Sequence, residues 1–152
     1  MTNRIAALIG VVLLAGIGAL PQSANADTIK LGNDQNTWKL GNNPGVSPLM
    51  VPVKPGDVIE IAVRGTHGLA TLDNPGDQAS PAPAVDLSHI LKCGEDPASK
   101  PNAAFQEICD SRVGKNLTLS MRVVVLGSFS QDVHFWCTEH LNIMVGTFKP
   151  AP

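Results

Sequence analysis

Concentrated positive charge and long apolar runs are both missing from most of this chain of 152 residues. It has 11 Lys and Arg residues against 13 Asp and Glu residues, which gives a formal net charge of -2 at pH 7. Because nucleic-acid binding depends on clustered positive charge, this composition argues against a nucleic-acid-binding protein. The small negative charge permits a basic protein partner but does not require one.

The longest apolar stretch lies at the N-terminus and has the features of a secretory signal. Arg4 supplies a short positive region, Ile5–Leu20 is apolar, and Ala24–Ala26 has the A-x-A pattern of a cleavage site. An uncleaved membrane anchor is the less favoured alternative, because a typical span needs roughly 20 apolar residues. We therefore predict a signal peptide at residues 1–26, no membrane span after its cleavage, and a periplasmic domain at residues 27–152.

Helical periodicity and internal repeats are scarce, whereas alternation of apolar and polar residues is common. Segments with this alternation or with β-branched residues are separated by turns rich in Pro and Gly, which is typical of strands. The expected strands are Thr28–Leu31, Pro48–Val53, Asp57–Val63, Leu117–Leu126, Asp132–Cys137 and Val145–Lys149. Many short strands of this kind predict an all-β protein built as a sandwich or barrel.

The segment from about Pro75 to Gly114 departs from the alternating pattern and is rich in Pro, Ala, Ser, Asp and Lys. Its apolar residues are spaced so that short helices could form at Asp86–Lys92 and at Asn102–Cys109. We predict that this segment is a partly helical insertion in the long connection of a Greek-key sandwich.

Cysteine is rare, and the three that occur are an odd number for an exported protein. Cys93 and Cys109 lie within the insertion, and their pairing would close a short loop worth roughly 3 kcal/mol in the chain-entropy model. Cys137 would then be a free thiol, exposed to oxidation unless it is buried or bound to a metal. The less favoured alternative is that Cys137 pairs with one of the other two.

Cys137 begins a short segment that also delivers an imidazole from His140 and a thioether from Met144. A further histidine, His67, follows the alternating strand that ends at Val63. Two His, one Cys and a weak axial Met form the ligand set of a blue-copper electron-transfer site. Each residue has an ordinary alternative, namely an inert buried cysteine, a loop or turn histidine, or a core methionine. Their combination favours a metal site.

These residues give the chain a resemblance to the cupredoxins, the type 1 blue copper proteins of the plastocyanin, pseudoazurin and amicyanin group. That family presents Cys-x-x-His, then Met, then Gly two positions later, and then a closing strand. Those places are filled here by Cys137, His140, Met144 and Gly146. The upstream family histidine follows a Lys-Pro-Gly-Asp turn and one strand, as His67 follows Lys54–Asp57. The resemblance covers both ends of the predicted mature chain but not the insertion.

Two features depart from the family pattern. The spacer between His140 and Met144 is one residue shorter than in plastocyanin-like loops and one longer than in amicyanin-like loops. This difference bears on the axial bond length and on the reduction potential. Gly68 follows His67 where the family usually has an Asn whose side chain braces the Cys loop. Thr66 is the candidate replacement for that brace.

The resemblance implies a monomeric carrier of single electrons with one type 1 copper ion as its cofactor. Its partners would be redox proteins such as a c-type cytochrome or a copper oxidase. No Ser-His-Asp arrangement or carboxylate pair can be argued from the spacing, so we expect no enzyme activity. The alternative is a periplasmic protein that binds or delivers copper without transferring electrons. The scarcity of Met, with four residues and no cluster, argues against delivery.

Other residues near the predicted site have less specific roles. Trp136 directly precedes Cys137 and is expected to face outward, where an aromatic side chain provides an electron path to the surface in plastocyanin-type proteins. Packing against the insertion is its alternative role. Leu69, Leu141 and Ile143 are expected to form an apolar patch around the histidine edge.

Overall fold

The computed structural model describes residues 25–72 and 87–152. The predicted signal peptide, except for its last two residues, lies outside the described residues, as does the part of the predicted insertion before residue 87. Among the described residues, no helix has the length and apolar character needed to cross a membrane.

The described part of the chain is almost entirely β-structure. Its strands are β1 Thr28–Asp34, β2 Thr37–Leu40, β3 Leu49–Val53, β4 Val58–Val63, β5 Ala70–Leu72, β6 Ile90–Leu91, β7 Phe105–Glu107, β8 Leu119–Val125, β9 Val133–Trp136 and β10 Val145–Pro150. The helical structure in these residues is a single 3₁₀ turn at Pro97–Ser99. The predicted all-β class is therefore confirmed.

The strands form two mixed sheets. Sheet 1 has the order β2-β1-β4-β8-β7-β6, and sheet 2 has the order β3-β10-β9-β5. Strand β1 pairs in parallel with β4, and β10 pairs in parallel with β3, whereas β9 pairs antiparallel with both β10 and β5. Sheet 2 consequently brings the end of β9 and the start of β10 together, and residues 137–144, the Cys loop, connect them.

One hydrophobic core joins the two sheets. Alternation in β4 buries Ile59, Ile61 and Val63, as the sequence predicts, and β8 contributes its own alternate residues. Ring contacts cross from sheet 1 to sheet 2, because Phe105 lies 5.1 Å from Phe148 between ring centroids. The core therefore anchors β9 and β10, which flank the Cys loop.

The predicted helices of the insertion are wrong for the residues that the structure describes. Strand β7 occupies the Asn102–Cys109 segment and pairs with β8, while β6 occupies the end of the Asp86–Lys92 segment and pairs with β7. The backbone of Phe105–Glu107 pairs with β8 in place of the hydrogen bonds of a helix, and the apolar residues 103–105 are all buried. The predicted disulfide between Cys93 and Cys109 is confirmed and links the residues that follow β6, an edge strand, and its neighbour β7.

Candidate metal centre

His67, Cys137 and His140 converge at one end of the two-sheet core. The Nδ1 atoms of His67 and His140 each lie 3.5 Å from the Sγ atom of Cys137. The two imidazole rings are 4.7 Å apart between centroids and tilted by 36°. Among the described residues, this is the one group of three or more such donors within 4.8 Å of one another. Residues 70 positions apart in sequence thus form one cluster.

Strand β9 places Cys137 inside the core. Alternation along the strand points Val133 and Phe135 inward, and Cys137 continues that row directly after the strand ends. Its side chain is completely buried and its thiol is free. The backbone N–H of Cys137 donates to the carbonyl oxygen of Met144 at 2.9 Å, which closes the loop that follows.

Local turns bring His140 back toward the cysteine. The N–H of His140 donates to the carbonyl of Cys137 at 3.2 Å, and the N–H of Met144 donates to the carbonyl of His140 at 3.0 Å. Each turn reverses the chain within a few residues, so that the His140 ring reaches the Cys137 sulfur. Met144 ends the loop with a fully buried side chain and belongs to the same core as Cys137.

The turn after β4 presents His67. The side chain of Asn33 clamps the backbone of Arg64, accepting from its N–H at 2.9 Å and donating to its carbonyl at 3.0 Å. Gly65 adopts a positive φ of 78°, a conformation that side chains disfavour, and its carbonyl accepts bonds from the Thr118 hydroxyl and from the His67 N–H. The chain reverses here, and the His67 side chain is left only 8% exposed.

The spacing of the donors fits a bound metal ion. Sulfur and nitrogen donors on one tetrahedral metal, at about 2.3 Å and about 2.05 Å respectively, lie about 3.5 Å apart. That separation equals the distance from the Cys137 sulfur to each imidazole nitrogen. The three side chains therefore could hold a metal ion with little rearrangement.

The environment of His67 favours the protonation state that a ligand needs. Burial lowers its pKa from the ordinary value of 6.5, and the nearby His140 lowers it further, while Glu139 acts in the opposite direction. A neutral imidazole has a free nitrogen lone pair, and metal binding requires that form. His67 is consequently available to a metal at neutral pH.

Gly68 is packed against the Cys loop without any side chain of its own. A Cβ atom at this position would lie 2.5 Å from the hydroxyl oxygen of Thr138, the residue after Cys137. The two ligand-bearing segments therefore touch through the Thr138 side chain and the Gly68 backbone. The sequence pointed to Thr66 as the replacement for an Asn brace, whereas the structure brings Thr138 to that contact.

Trp136 faces the side of sheet 2 opposite to Cys137, as strand alternation predicts. The expected exposure is wrong, because its side chain is only 1% exposed. Its indole N–H has no hydrogen-bond partner among the residues that the structure describes. The expected apolar patch is also incomplete, since Leu69 is buried, whereas Ile143 is 61% exposed.

The remaining histidines lie outside this cluster. His89 Nδ1 is 3.3 Å from the carbonyl of Asn102, and His134 Nδ1 is 3.0 Å from the hydroxyl of Thr147. Both arrangements are consistent with structural hydrogen bonds in their own sheets.

Three residues that position the site were not found from the sequence. Trp38 donates its indole N–H to the carbonyl of Met144, Ser47 donates its hydroxyl to the carbonyl of Ile143, and Asn33 clamps the turn before His67. Each acts on a segment distant in sequence, so no local pattern indicates it.

The chain matches no family model, and no curated protein matches it significantly. The geometry of the site and the chemistry of its donors therefore carry the functional argument.

Proposed function

We propose that this protein is a periplasmic type 1 blue copper protein of the cupredoxin kind that carries single electrons between redox partners. The observation that carries the proposal is the trio of donors in which the nitrogens of His67 and of the half-buried His140 both lie 3.5 Å from the buried Cys137 sulfur. In this proposal the two sheets form a Greek-key cupredoxin sandwich, and the Cys loop closes one end of it.

The donor set favours copper over other metals. Thiolate and imidazole also suit zinc, but a thioether, which Met144 offers from the same loop, is a soft donor that suits copper better. Met144 is buried at the end of the same loop and is the candidate for the weak axial ligand. Copper held by these residues would supply a one-electron couple between its two oxidation states.

The burial of the site supports electron transfer rather than catalysis. Cys137 and Met144 are fully buried and His67 nearly so, which leaves a substrate little access to the centre. The backbones of the ligand-bearing segments are already fixed by hydrogen bonds, including those to the Met144 and Gly65 carbonyls. A change in metal charge therefore demands little movement of the protein.

Partner access would be through the half-buried His140, which lies in the same loop as the exposed Ile143. A c-type cytochrome or a copper oxidase is the proposed kind of partner. Trp136 is proposed as part of an electron path, because it is covalently next to Cys137. Unchanged transfer rates in Trp136→Leu would remove it from that path.

The disulfide supports an exported location. Cys93 and Cys109 are both exposed, and disulfides persist chiefly in oxidising compartments such as the periplasm. The predicted signal peptide leads to the same compartment. A free thiol at Cys137 would be protected there by burial and by the bound metal.

Reversible redox cycling tests the proposal against copper delivery. The copper-loaded protein is titrated with a reductant and then with an oxidant, while visible absorption and bound copper are followed. An electron carrier takes up and returns one electron per copper and retains the metal throughout. A delivery protein releases copper to a chelator on reduction, and that result would contradict the electron-transfer function.

A further inference from the structure

We propose that Trp38 is a positioning residue that fixes Met144 relative to Cys137, an inference that rests on the proposed copper function. Trp38 lies in β2, an edge strand of sheet 1, and is fully buried. Its indole N–H donates to the carbonyl oxygen of Met144 at 2.9 Å, across 106 residues of sequence. The bond thus links sheet 1 to the end of the Cys loop.

The Met144 carbonyl accepts a second bond, from the backbone N–H of Cys137, also at 2.9 Å. Two donors on one carbonyl use both of its lone-pair positions and define the orientation of its peptide plane. That plane fixes the backbone atoms from which the Met144 side chain extends. Trp38 therefore acts on the distance and angle between the thioether and the thiolate, although its own side chain contributes no ligand.

The neighbouring residues of the β2–β3 connection reinforce this arrangement. The carbonyl of Trp38 accepts the N–H of Val46 at 2.8 Å, which places Ser47 beside the loop. The Ser47 hydroxyl donates to the carbonyl of Ile143 and accepts from the N–H of Val145 at 3.3 Å. Residues on both sides of Met144 are therefore bound by the same connection.

Packing holds Trp38 in place for this role. Its ring makes an edge contact with Phe135, two residues before Cys137, at 5.4 Å between centroids. Such aromatic pairs contribute roughly 0.5–1.5 kcal/mol beyond their buried area. The indole thus contacts the strand that carries the thiolate and the loop end that carries the thioether.

The chain contains a matched control for this interaction. Trp136 is the other tryptophan, is equally buried, and has an indole N–H without a hydrogen-bond partner in residues 25–72 and 87–152. Trp38→Phe and Trp136→Phe remove the same atoms from two buried sites, but only the first breaks a bond to the loop. The comparison concerns metal affinity and absorption spectrum, not rates of electron transfer.

We expect Trp38→Phe to bind Cu(II) roughly tenfold more weakly than the unsubstituted protein, because a buried acceptor loses a partner. The ratio of its charge-transfer bands and its reduction potential should also change, whereas Trp136→Phe should retain the copper affinity and the band ratio. If Trp38 acts through the thioether, Trp38→Phe should leave band ratio and potential unaltered in a Met144→Leu background. The same shift in both backgrounds would overturn the inference.

Direct observation of the bond covers the case in which Trp38→Phe fails to fold. In ¹⁵N-labelled Trp136→Phe protein, the single indole N–H signal belongs to Trp38. Slow hydrogen exchange, and a shift of this signal when copper binds, are expected from the bond to Met144. Rapid exchange would overturn the inference. Absence of a thiolate–copper band in the unsubstituted protein would instead refute the proposed function, so the two failures are distinguishable.

Discussion

The backbone of Gly68 and the side chain of Thr138 occupy adjoining space, with 2.5 Å between the Thr138 hydroxyl oxygen and the position that a Cβ atom of residue 68 would take. Gly68 follows His67 and Thr138 follows Cys137, so their contact bears on the separation of the two segments that carry these candidate donors. The Thr138 hydroxyl occupies the space that a side chain at position 68 would need.

Gly68→Ala should therefore weaken the metal centre. Overpacking costs roughly 1–3 kcal/mol in a core, and relief at this half-buried contact requires that the Thr138 side chain rotate or that the two segments separate. We expect a lower unfolding midpoint and weaker copper binding, measured by denaturant titration and competition with a chelator. The double variant Gly68→Ala/Thr138→Ala should recover both. Gly127→Ala is the matched control, since a Cβ there meets nothing within 4 Å; equal effects at both glycines would contradict this explanation.

The disulfide should matter for stability but not for the site. Cys93 and Cys109 follow β6 and β7 at one end of sheet 1, and neither lies in a segment that carries His67, Cys137 or His140. Replacing both with Ser should lower the free energy of unfolding by roughly 3 kcal/mol, as expected for a loop of this length. The copper absorption spectrum should stay the same. A changed spectrum would show that β6 and β7 influence the geometry of the metal centre.

Asp57 anchors the first residues of the domain through a buried carboxylate. It accepts backbone N–H bonds from Asp27 and from Lys54, each at 3.0 Å, and the Lys54 ammonium lies 3.3 Å away. Cleavage after Ala26, as predicted, would convert the Asp27 amide into a charged α-amine at this carboxylate. A charge-assisted bond is stronger than a neutral one.

Asp57→Asn should therefore destabilise a chain that begins at Asp27 more than a chain that retains Ala26. We expect a loss of roughly 1–3 kcal/mol from removal of the buried acceptor, with the larger loss in the cleaved form. Urea unfolding of the four proteins measures both effects. Identical losses in the two chains would show that the α-amine does not pair with Asp57.

The metal-free protein should lose stability as the pH is lowered. Burial, and then the proximity of His140, lower the pKa of His67 below its ordinary value of 6.5. Near pH 6.5 the imidazole of residue 67 becomes protonated in the unfolded chain but stays neutral in the folded protein. Unfolding therefore becomes more favourable below that pH. Urea midpoints of the metal-free protein at pH 7.5 and pH 5.5 measure this change. A His67→Gln protein with the same pH dependence would exclude His67 as its source.

Alternation in the sequence predicted the parts of the fold that bury one face of a strand. Strands β4 and β8 appear where the apolar pattern has a period of two, and β9 points Cys137 into the core as expected. The His67, Cys137 and His140 group was likewise predictable, because two of its members lie three residues apart and the third follows a strand.

The errors arose where long-range packing decides the structure. The apolar residues 103–105 were compatible with a helix, but the free edge of β8 provides hydrogen-bond partners for a strand. Alternation gave the direction of Trp136 but not what covers that side of the sheet. Trp38 contacts Met144 at the end of the loop, and Thr138 contacts Gly68 after His67. Both contacts join residues that are distant in sequence, so no local pattern indicates them.

The visible absorption spectrum of the protein after addition of Cu(II), beside that of Cys137→Ser, tests the central claim most directly. The cluster of His67, Cys137 and His140 predicts an intense blue charge-transfer band in the unsubstituted protein and its loss in the variant. A colourless protein, or a weak band that persists in Cys137→Ser, would contradict a thiolate–copper centre.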